Sequence, residues 1–214
     1  MLTLSALFSC LLVVARVIRT GQLTFAFMPW NLFLAYVPYL ISGQLTKPIP
    51  NRLLRIAILL IWLLFIPNSF YILTDLFHLA DNHRSAIVPE WFDLVLILSF
   101  AWNGLLLGVL SIRQIEKLLA PQASSLGHWV FLVPVMLLNS LGVYIGRYLR
   151  YNSWDIVTNP VDLFGDIIRI VAHPLRYRDA WDMIVCYSVL LTLMYSLLTK
   201  ITNHGKYDHP ILEP

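Results

Sequence analysis

The feature that most constrains this chain is a series of long apolar segments. Each has roughly the 20 residues that an α-helix needs to cross the hydrocarbon core of a bilayer. They cover residues 2–18, 23–42, 53–73, 92–112, 129–149 and 180–199. Only 13% of the 214 residues are charged, whereas soluble domains carry about 25%, so the surplus apolar surface faces lipid. We therefore predict an all-α integral membrane bundle of about six transmembrane helices.

The length suits one domain, and the chain shows no internal repeat or low-complexity segment. We predict a single transmembrane helical domain over residues 1–200, followed by a polar C-terminal tail over residues 201–214. No basic residue precedes the first apolar segment, which argues against a signal peptide.

A shorter amphipathic segment lies between the fifth and sixth spans. Asn159 and Pro160 have the pattern of an N-cap followed by proline at the first helical position, and Pro174 ends the segment. At about 13 residues it is too short to cross a membrane. We predict a short interfacial helix, or one that lies across the mouth of the bundle. The alternative is a helix of the soluble type that covers a loop.

The lysines share one side of the predicted topology. They lie in the C-terminal segment and in the loops after the second and fourth spans: Lys47, Lys117, Lys200 and Lys206. Because short cytoplasmic loops are rich in basic residues, we predict that both termini are cytoplasmic. The dispersed net charge of +3 does not indicate nucleic acid. The expected partner is the lipid bilayer, with a second copy of the chain or another membrane protein as the alternative partner.

Small and amide side chains within the spans predict close helix contacts. Gly142 and Gly146 form a small-xxx-small pair, which lets two helices approach closely. Three asparagines are expected to hydrogen-bond between helices: Asn31, Asn103 and Asn139.

The first polar cluster lies at the end of the third span. Pro67 removes a backbone donor there, and Asn68 can satisfy the groups that are freed. Asp75 and His78 are three residues apart, which places them on one face of a helix. Such a pair is half of a metal site or a catalytic acid–base pair. Alternatively, an Asp–His hydrogen bond closes the helix end. The sequence specifies no cofactor.

The second polar cluster ends the fifth span with Arg147 and Arg150. Arginine offers planar, bidentate recognition, so the pair can bind a phosphate or carboxylate ligand. Two structural alternatives are a salt bridge to Asp75 or Asp93 and contact with lipid headgroups.

Loop alternation places these polar residues on one membrane face. Besides Asp75 and His78, the candidates for binding an ion or an anionic, lipid-like ligand are Asn68, Asp93, Arg147, Arg150, Asn152, Trp154 and Asp155. Three classes of function stay open: an enzyme or ion-binding protein, a non-catalytic accessory or assembly protein, and a small transporter or channel component. The last class is suggested by prolines that interrupt the second and third spans.

Three blocks of the chain carry a resemblance. They run from Asn31 to Tyr39, from Pro67 to Leu79 and from Gly142 to Asp155. In these blocks the sequence resembles a family of bacterial membrane proteins catalogued as domain of unknown function 1361. The resemblance implies a multi-pass protein of the bacterial cytoplasmic (inner) membrane. It implies no activity and no site residues.

Overall fold

The computed structural model describes residues 1–81, 88–119 and 125–204. Within these ranges the chain is helical and contains no strand. Five helices are long and apolar enough to cross a membrane, as judged by length and composition: Leu2–Thr20, Arg52–Phe77, Glu90–Leu119, Leu126–Leu149 and Arg178–Thr202. The predicted all-α membrane bundle is confirmed.

The helices follow one another with short connections. In chain order they are α1 (Leu2–Thr20), α2 (Met28–Leu45), α3 (Arg52–Phe65), α4 (Pro67–Tyr71), a 3₁₀ turn (Ile72–Phe77), α5 (His78–Asp81), α6 (Glu90–Leu119), α7 (Ser125–Tyr144), a π turn (Ile145–Leu149), α8 (Asp155–Thr158), α9 (Pro160–Ala172) and α10 (Arg178–His204).

The second predicted span corresponds to α2, which is not among the five long apolar helices. It starts at Met28, immediately before Pro29, and it packs against α3, α4 and α6. The Ser111 hydroxyl of α6 donates to the Pro38 carbonyl over 3.0 Å, and the Trp62 indole N–H of α3 donates to Ser111 over 2.8 Å. The buried side of α2 can carry polar and proline residues because protein groups, not lipid, surround them. Its other side is exposed at Trp30, Phe33 and Leu40.

The third predicted span is broken at a proline. α3 ends at Phe65, and Pro67 begins the short helix α4. Proline cannot donate a backbone hydrogen bond and its ring crowds the preceding turn. The Ser69 hydroxyl donates to the Ala35 carbonyl of α2 over 2.8 Å, which ties α4 to its neighbour.

Glycines let α6 and α7 approach α4 closely. A Cβ added at Gly142 would lie 2.5 Å from Pro67 Cγ, and one at Gly108 would lie 2.6 Å from Phe70 Cζ. Both distances are below van der Waals contact, so a larger residue would displace α4. The predicted small-residue contact of α7 therefore exists, with α4 as its partner.

The amphipathic helix α9 covers one side of the bundle. Asn159 occupies its N-cap position, but the Asn159 side chain makes no capping hydrogen bond. Leu163 and Ile170 are buried, and the Trp181 indole of α10 donates to the Ile170 carbonyl over 2.9 Å. The exposed side of α9 carries further apolar residues, which are Val161, Phe164, Ile168 and Val171.

The last helix is longer than predicted. α10 passes residue 199, where the sixth apolar segment ends, and continues to His204. The rest of the predicted tail, residues 205–214, lies outside the described residues. The division of the chain at residue 200 therefore stays a prediction.

Candidate functional site

Asp75 is the centre of the first polar cluster. It lies in the 3₁₀ turn and is only 1% exposed. The Asn31 amide of α2 donates to Asp75 Oδ2 over 3.0 Å. Arg147 of the π turn places its Nη1 atom 3.8 Å from Asp75 Oδ1. Three separate parts of the chain therefore meet at one carboxylate.

The Arg147 guanidinium lies beside both predicted candidates of the third span. Its Nη1 atom is 3.5 Å from His78 Nε2, and its Cζ atom is 5.3 Å from the centre of the Phe77 ring. Residues three apart on a 3₁₀ turn lie above one another, so Asp75 and His78 point toward the same neighbour. Of the alternatives for Arg147, the salt bridge to Asp75 is present in the structure, and anion binding stays a prediction.

The π turn determines which arginine joins this cluster. It closes with the Arg150 backbone N–H donating to the Ile145 carbonyl, and Arg150 has the left-handed φ of 61°. The Arg150 side chain is exposed and makes no ion pair or hydrogen bond within the described residues. The structure thus brings Arg147 to Asp75 and leaves Arg150 outside.

Asp93 has a different partner from the one that loop alternation indicated. Arg16 of α1 donates through Nε to Asp93 Oδ1 over 2.7 Å and through Nη2 to Asp93 Oδ2 over 3.0 Å. The Arg16 Cζ atom also lies 4.5 Å from the centre of the Phe25 ring. An arginine in an apolar span needs a counter-charge, and Asp93 supplies it for Arg16. Arg16 was not among the predicted site residues, although its place inside an apolar segment was a usable signal.

Asn68 joins the broken third span to the segment after the fifth. Its Nδ2 atom donates to the Phe65 carbonyl and to the Ser153 hydroxyl, each over 2.9 Å. Ser153 in turn donates to the Leu64 carbonyl over 3.4 Å. Asn68 thus satisfies a backbone group near Pro67, as predicted, and also holds the chain around Ser153 in place.

Asp155 organises its own short helix. It accepts hydrogen bonds from the Asn152 backbone N–H over 2.6 Å and from the Thr158 hydroxyl over 2.8 Å. These donors hold the pKa of Asp155 below its ordinary value. Trp154 precedes it as an exposed N-cap residue. We call Asn31, Asp75, His78 and Arg147 the Asp75 cluster. Neither Asp155 nor Trp154 contacts this cluster through any interaction among the described residues.

A cavity of about 710 Å³ lies beside the cluster, between α3, α4, α7 and α9. We call it the lateral groove. Its polar lining residues are Asn31, Asn68, Tyr71, Tyr151, Asn152 and Ser153. The remainder of the lining is apolar or glycine and includes Leu60, Leu64, Leu138, Leu141, Ile156 and Phe164. Asn31 belongs to both features, because it lines the groove and donates to Asp75.

Another polar cluster lies where α6, α7 and α10 meet. The Glu116 carboxylate accepts a hydrogen bond from the Tyr195 hydroxyl and contacts His128 Nδ1. Neither Glu116 nor His128 was among the predicted site residues. The cluster joins three helices, and it lies outside the lateral groove.

The residues available for a metal ion are few. In the described parts of the chain, no group of three or more His, Cys, Asp and Glu residues could hold one. Asp75 and His78 therefore have no third ligand of these types within those parts. The geometry instead provides a carboxylate with compensated charge, next to a groove whose described lining residues carry no charge.

Comparison with known proteins agrees with the resemblance found in the sequence. Residues 30–194 match the family described as "Protein of unknown function (DUF1361)". No curated protein and no solved structure matches the chain. The matched residues include the Asp75 cluster and the lateral groove. This all-α membrane protein therefore belongs to the DUF1361 family.

Proposed function

We propose that this protein binds a membrane lipid in the lateral groove. The observation that carries the proposal is the composition of the groove, which is apolar along most of its wall and polar at a few positions. Pockets for small molecules typically have volumes of about 300–1,000 Å³, a mostly apolar lining and a few placed polar groups. An amphipathic molecule matches both parts of such a wall.

The rim of the groove supports a ligand that arrives from the bilayer. Leu60 of α3 is 61% exposed and Leu138 of α7 is 47% exposed, and both line the groove. Phe164 of α9 completes this apolar rim. Apolar side chains on the outside of a membrane bundle contact lipid chains without penalty. A lipid can therefore pass between these residues without crossing water.

We place the protein in the bacterial inner membrane as a multi-pass protein with cytoplasmic termini. The lysine distribution supports this orientation, and it puts Asp75, Arg147 and α9 at the periplasmic side. The exposed apolar side of α9 supports a position in the membrane interface. A reporter fused to the C-terminus tests the orientation, because a periplasmic signal would contradict it.

The Asp75 cluster fixes the orientation of one polar residue in the wall of the groove. Asn31 is held by Asp75, and Asp75 is held by Arg147, so the orientation of one polar lining residue depends on an ion pair outside the groove. Buried charges in membrane helices need such pairing. In this proposal Asp75, His78 and Arg147 position the wall of the groove, and they do not perform chemistry.

The experiment compares lipids that remain bound after purification in a mild detergent. Leu138→Trp places an indole in the groove, whereas Val133→Trp adds the same group to an exposed position of α7 that does not line it. We expect the wild type and Val133→Trp to retain the same lipid in mass spectrometry, and Leu138→Trp to lose most of it. Equal lipid content in all three proteins would contradict the proposal.

A second candidate function is that of a non-catalytic accessory or assembly protein. The observation in its favour is that Asp75 is engaged inside the protein by Asn31 and Arg147, as an internal brace would be. In that case Asp75→Asn lowers the abundance of the protein, and groove-filling variants have no effect on bound lipid or on growth.

A further inference from the structure

The open hydrogen-bonding positions of the lateral groove indicate what kind of lipid it takes. Asn31 must point its Nδ2 atom at Asp75, because a carboxylate only accepts hydrogen bonds. Its Oδ1 atom is then left as an acceptor. Asn68 Nδ2 likewise donates to the Phe65 carbonyl and to the Ser153 hydroxyl, so Asn68 Oδ1 is left as an acceptor. No donor in the described parts of the chain bonds to either oxygen.

Two tyrosines extend this pattern. The Tyr71 hydroxyl has no hydrogen-bond partner among the described residues. The Tyr151 hydroxyl donates to Asp166 Oδ2 over 3.0 Å, so only its oxygen lone pairs are left. Besides the Asn152 side-chain amide, which can both donate and accept, the groove therefore presents the acceptors Asn31 Oδ1 and Asn68 Oδ1 and the uncommitted Tyr71 hydroxyl. A ligand that donates a hydrogen bond complements these acceptors.

The charged residues around the lateral groove also favour an uncharged ligand. Arg147 is paired with Asp75 and does not line the groove, and Arg150 is exposed outside it. The Asp166 carboxylate accepts from the Tyr151 hydroxyl and is itself paired with Arg169, so it adds no net charge there. An anionic headgroup would meet acceptor atoms and no cation among the described lining residues, and burial of an unpaired charge is unfavourable.

On the basis of the proposed lipid site, we propose that its occupant is an uncharged lipid whose head carries a hydroxyl donor. Diacylglycerols and polyprenols have this chemistry. The apolar wall takes the chain, and the hydroxyl of the head donates to Asn68 Oδ1 and accepts from the Tyr71 hydroxyl. The anionic ligand that the arginines suggested in the sequence does not fit this wall.

The test uses three probes with the same tails: dioleoylglycerol, its 3-O-methyl ether and dioleoylphosphatidic acid. Their binding to the purified, full-length protein is measured by titration in native mass spectrometry. Because one net hydrogen bond is worth about 1 kcal/mol, we expect the methyl ether to bind about fivefold more weakly than dioleoylglycerol, and phosphatidic acid more weakly still. Tyr71→Phe should weaken dioleoylglycerol binding by a similar factor, and the matched control Tyr148→Phe should not.

The outcomes separate this inference from the proposed function. If the alcohol and its ether bind equally, or phosphatidic acid binds best, while Leu138→Trp abolishes binding, the groove holds lipid but the inference about the head is wrong. If no probe binds and Leu138→Trp changes nothing, both are wrong. Unchanged binding by Tyr71→Phe and by Asn68→Leu, in variants that unfold as the wild type does, would also overturn the hydrogen-bonding argument.

Discussion

Two arginine–carboxylate pairs lie near one end of the bundle, and they compensate the charge of a buried carboxylate with different geometries. Arg16 and Asp93 form a bidentate pair with contacts of 2.7 and 3.0 Å, and Arg16 is 1% exposed. Arg147 approaches Asp75 at only 3.8 Å, and its side chain is 19% exposed. Each arginine also faces a phenylalanine ring. The two pairs therefore have similar aromatic neighbours, but they differ in the distance between the arginine and the carboxylate.

The difference lies in how many partners share each carboxylate. Both oxygens of Asp93 accept from Arg16, which joins α1 to α6, while the buried Arg16 Nη1 atom has no hydrogen-bond partner within the described residues. Asp75 divides its oxygens between Asn31 and Arg147, and Arg147 also contacts His78. We call the first the saturated pair, because one arginine occupies both carboxylate oxygens, and the second the shared pair. The shared pair depends on contacts from two other parts of the chain, α2 and the π turn.

The largest effect is expected from breaking the saturated pair. Arg16→Met leaves the Asp93 carboxylate buried without a counter-charge, and loss of one partner of a buried pair costs about 3–5 kcal/mol. The free energy of unfolding, measured by denaturant titration in detergent, should fall by this amount. The double variant Arg16→Met/Asp93→Leu should regain most of it. A single variant as stable as the wild type would show that the pair contributes little.

A smaller effect is expected at the shared pair. Asp75→Asn keeps the shape of the side chain but removes the charge that attracts Arg147, and hydrogen bonds to charged groups contribute about 1.5–3 kcal/mol. The same titration should show a loss within this range. Asp182→Asn, an exposed acid at the start of α10, is the matched control and should behave as the wild type. A loss as large as that of Arg16→Met would erase the distinction between the two pairs.

The shared pair can also be disturbed without touching its atoms. Gly142→Ala places a methyl group 2.5 Å from Pro67 Cγ, which displaces α4 and the 3₁₀ turn that carries Asp75. Overpacking of this kind typically costs about 1–3 kcal/mol. Gly165→Ala on α9 meets no atom within 4 Å, so it should be neutral or slightly stabilising. Thermal unfolding of the two variants measures the difference, and equal midpoints would contradict the close contact.

The smallest effect concerns Asp155, a carboxylate held by uncharged donors. Its pKa in the folded protein lies below the ordinary 3.8 because Asn152 and Thr158 donate to it. A depressed pKa adds stability above the unfolded value and loses it as the pH falls through the folded value. Asp155→Asn should therefore lower the thermal midpoint slightly at about pH 6, and the difference from the wild type should vanish in strong acid. A difference that grows with acidity would contradict this assignment.

The positions of the apolar segments along the chain predict much of the architecture. They do not say how each helix is rotated about its own axis. The apolar segments marked the long helices, and loop alternation brought Asp75 and Arg147 to one end of the bundle. Alternation could not decide between Arg16 and Arg147 as partners of Asp93, because that choice depends on which way each helix faces. The break at Pro67 was visible in the sequence, but the turn that follows it was not.

The asparagines show the same limit at the level of single residues. Asn31 and Asn103 bond between helices, to Asp75 and to the Ser9 hydroxyl, as predicted. Asn139 instead donates to the Val135 carbonyl of its own helix, so the prediction for this residue is wrong. The sequence indicated only part of the lateral groove: Asn68 and Asn152 of its lining were among the predicted binding candidates. Its apolar walls were not predicted, because they come from helices that are distant along the chain and their residues look like ordinary lipid-facing side chains.

The exposed apolar rim of the groove has a consequence for how its occupancy is controlled. If the groove binds lipid as proposed, a molecule that enters past Leu60 and Leu138 diffuses in the plane of the bilayer and does not pass through the aqueous phase. Occupancy then depends on the mole fraction of the lipid in the membrane, not on its amount per volume of buffer. Diluting a vesicle suspension leaves that fraction unchanged, whereas fusing the vesicles with lipid-only vesicles lowers it.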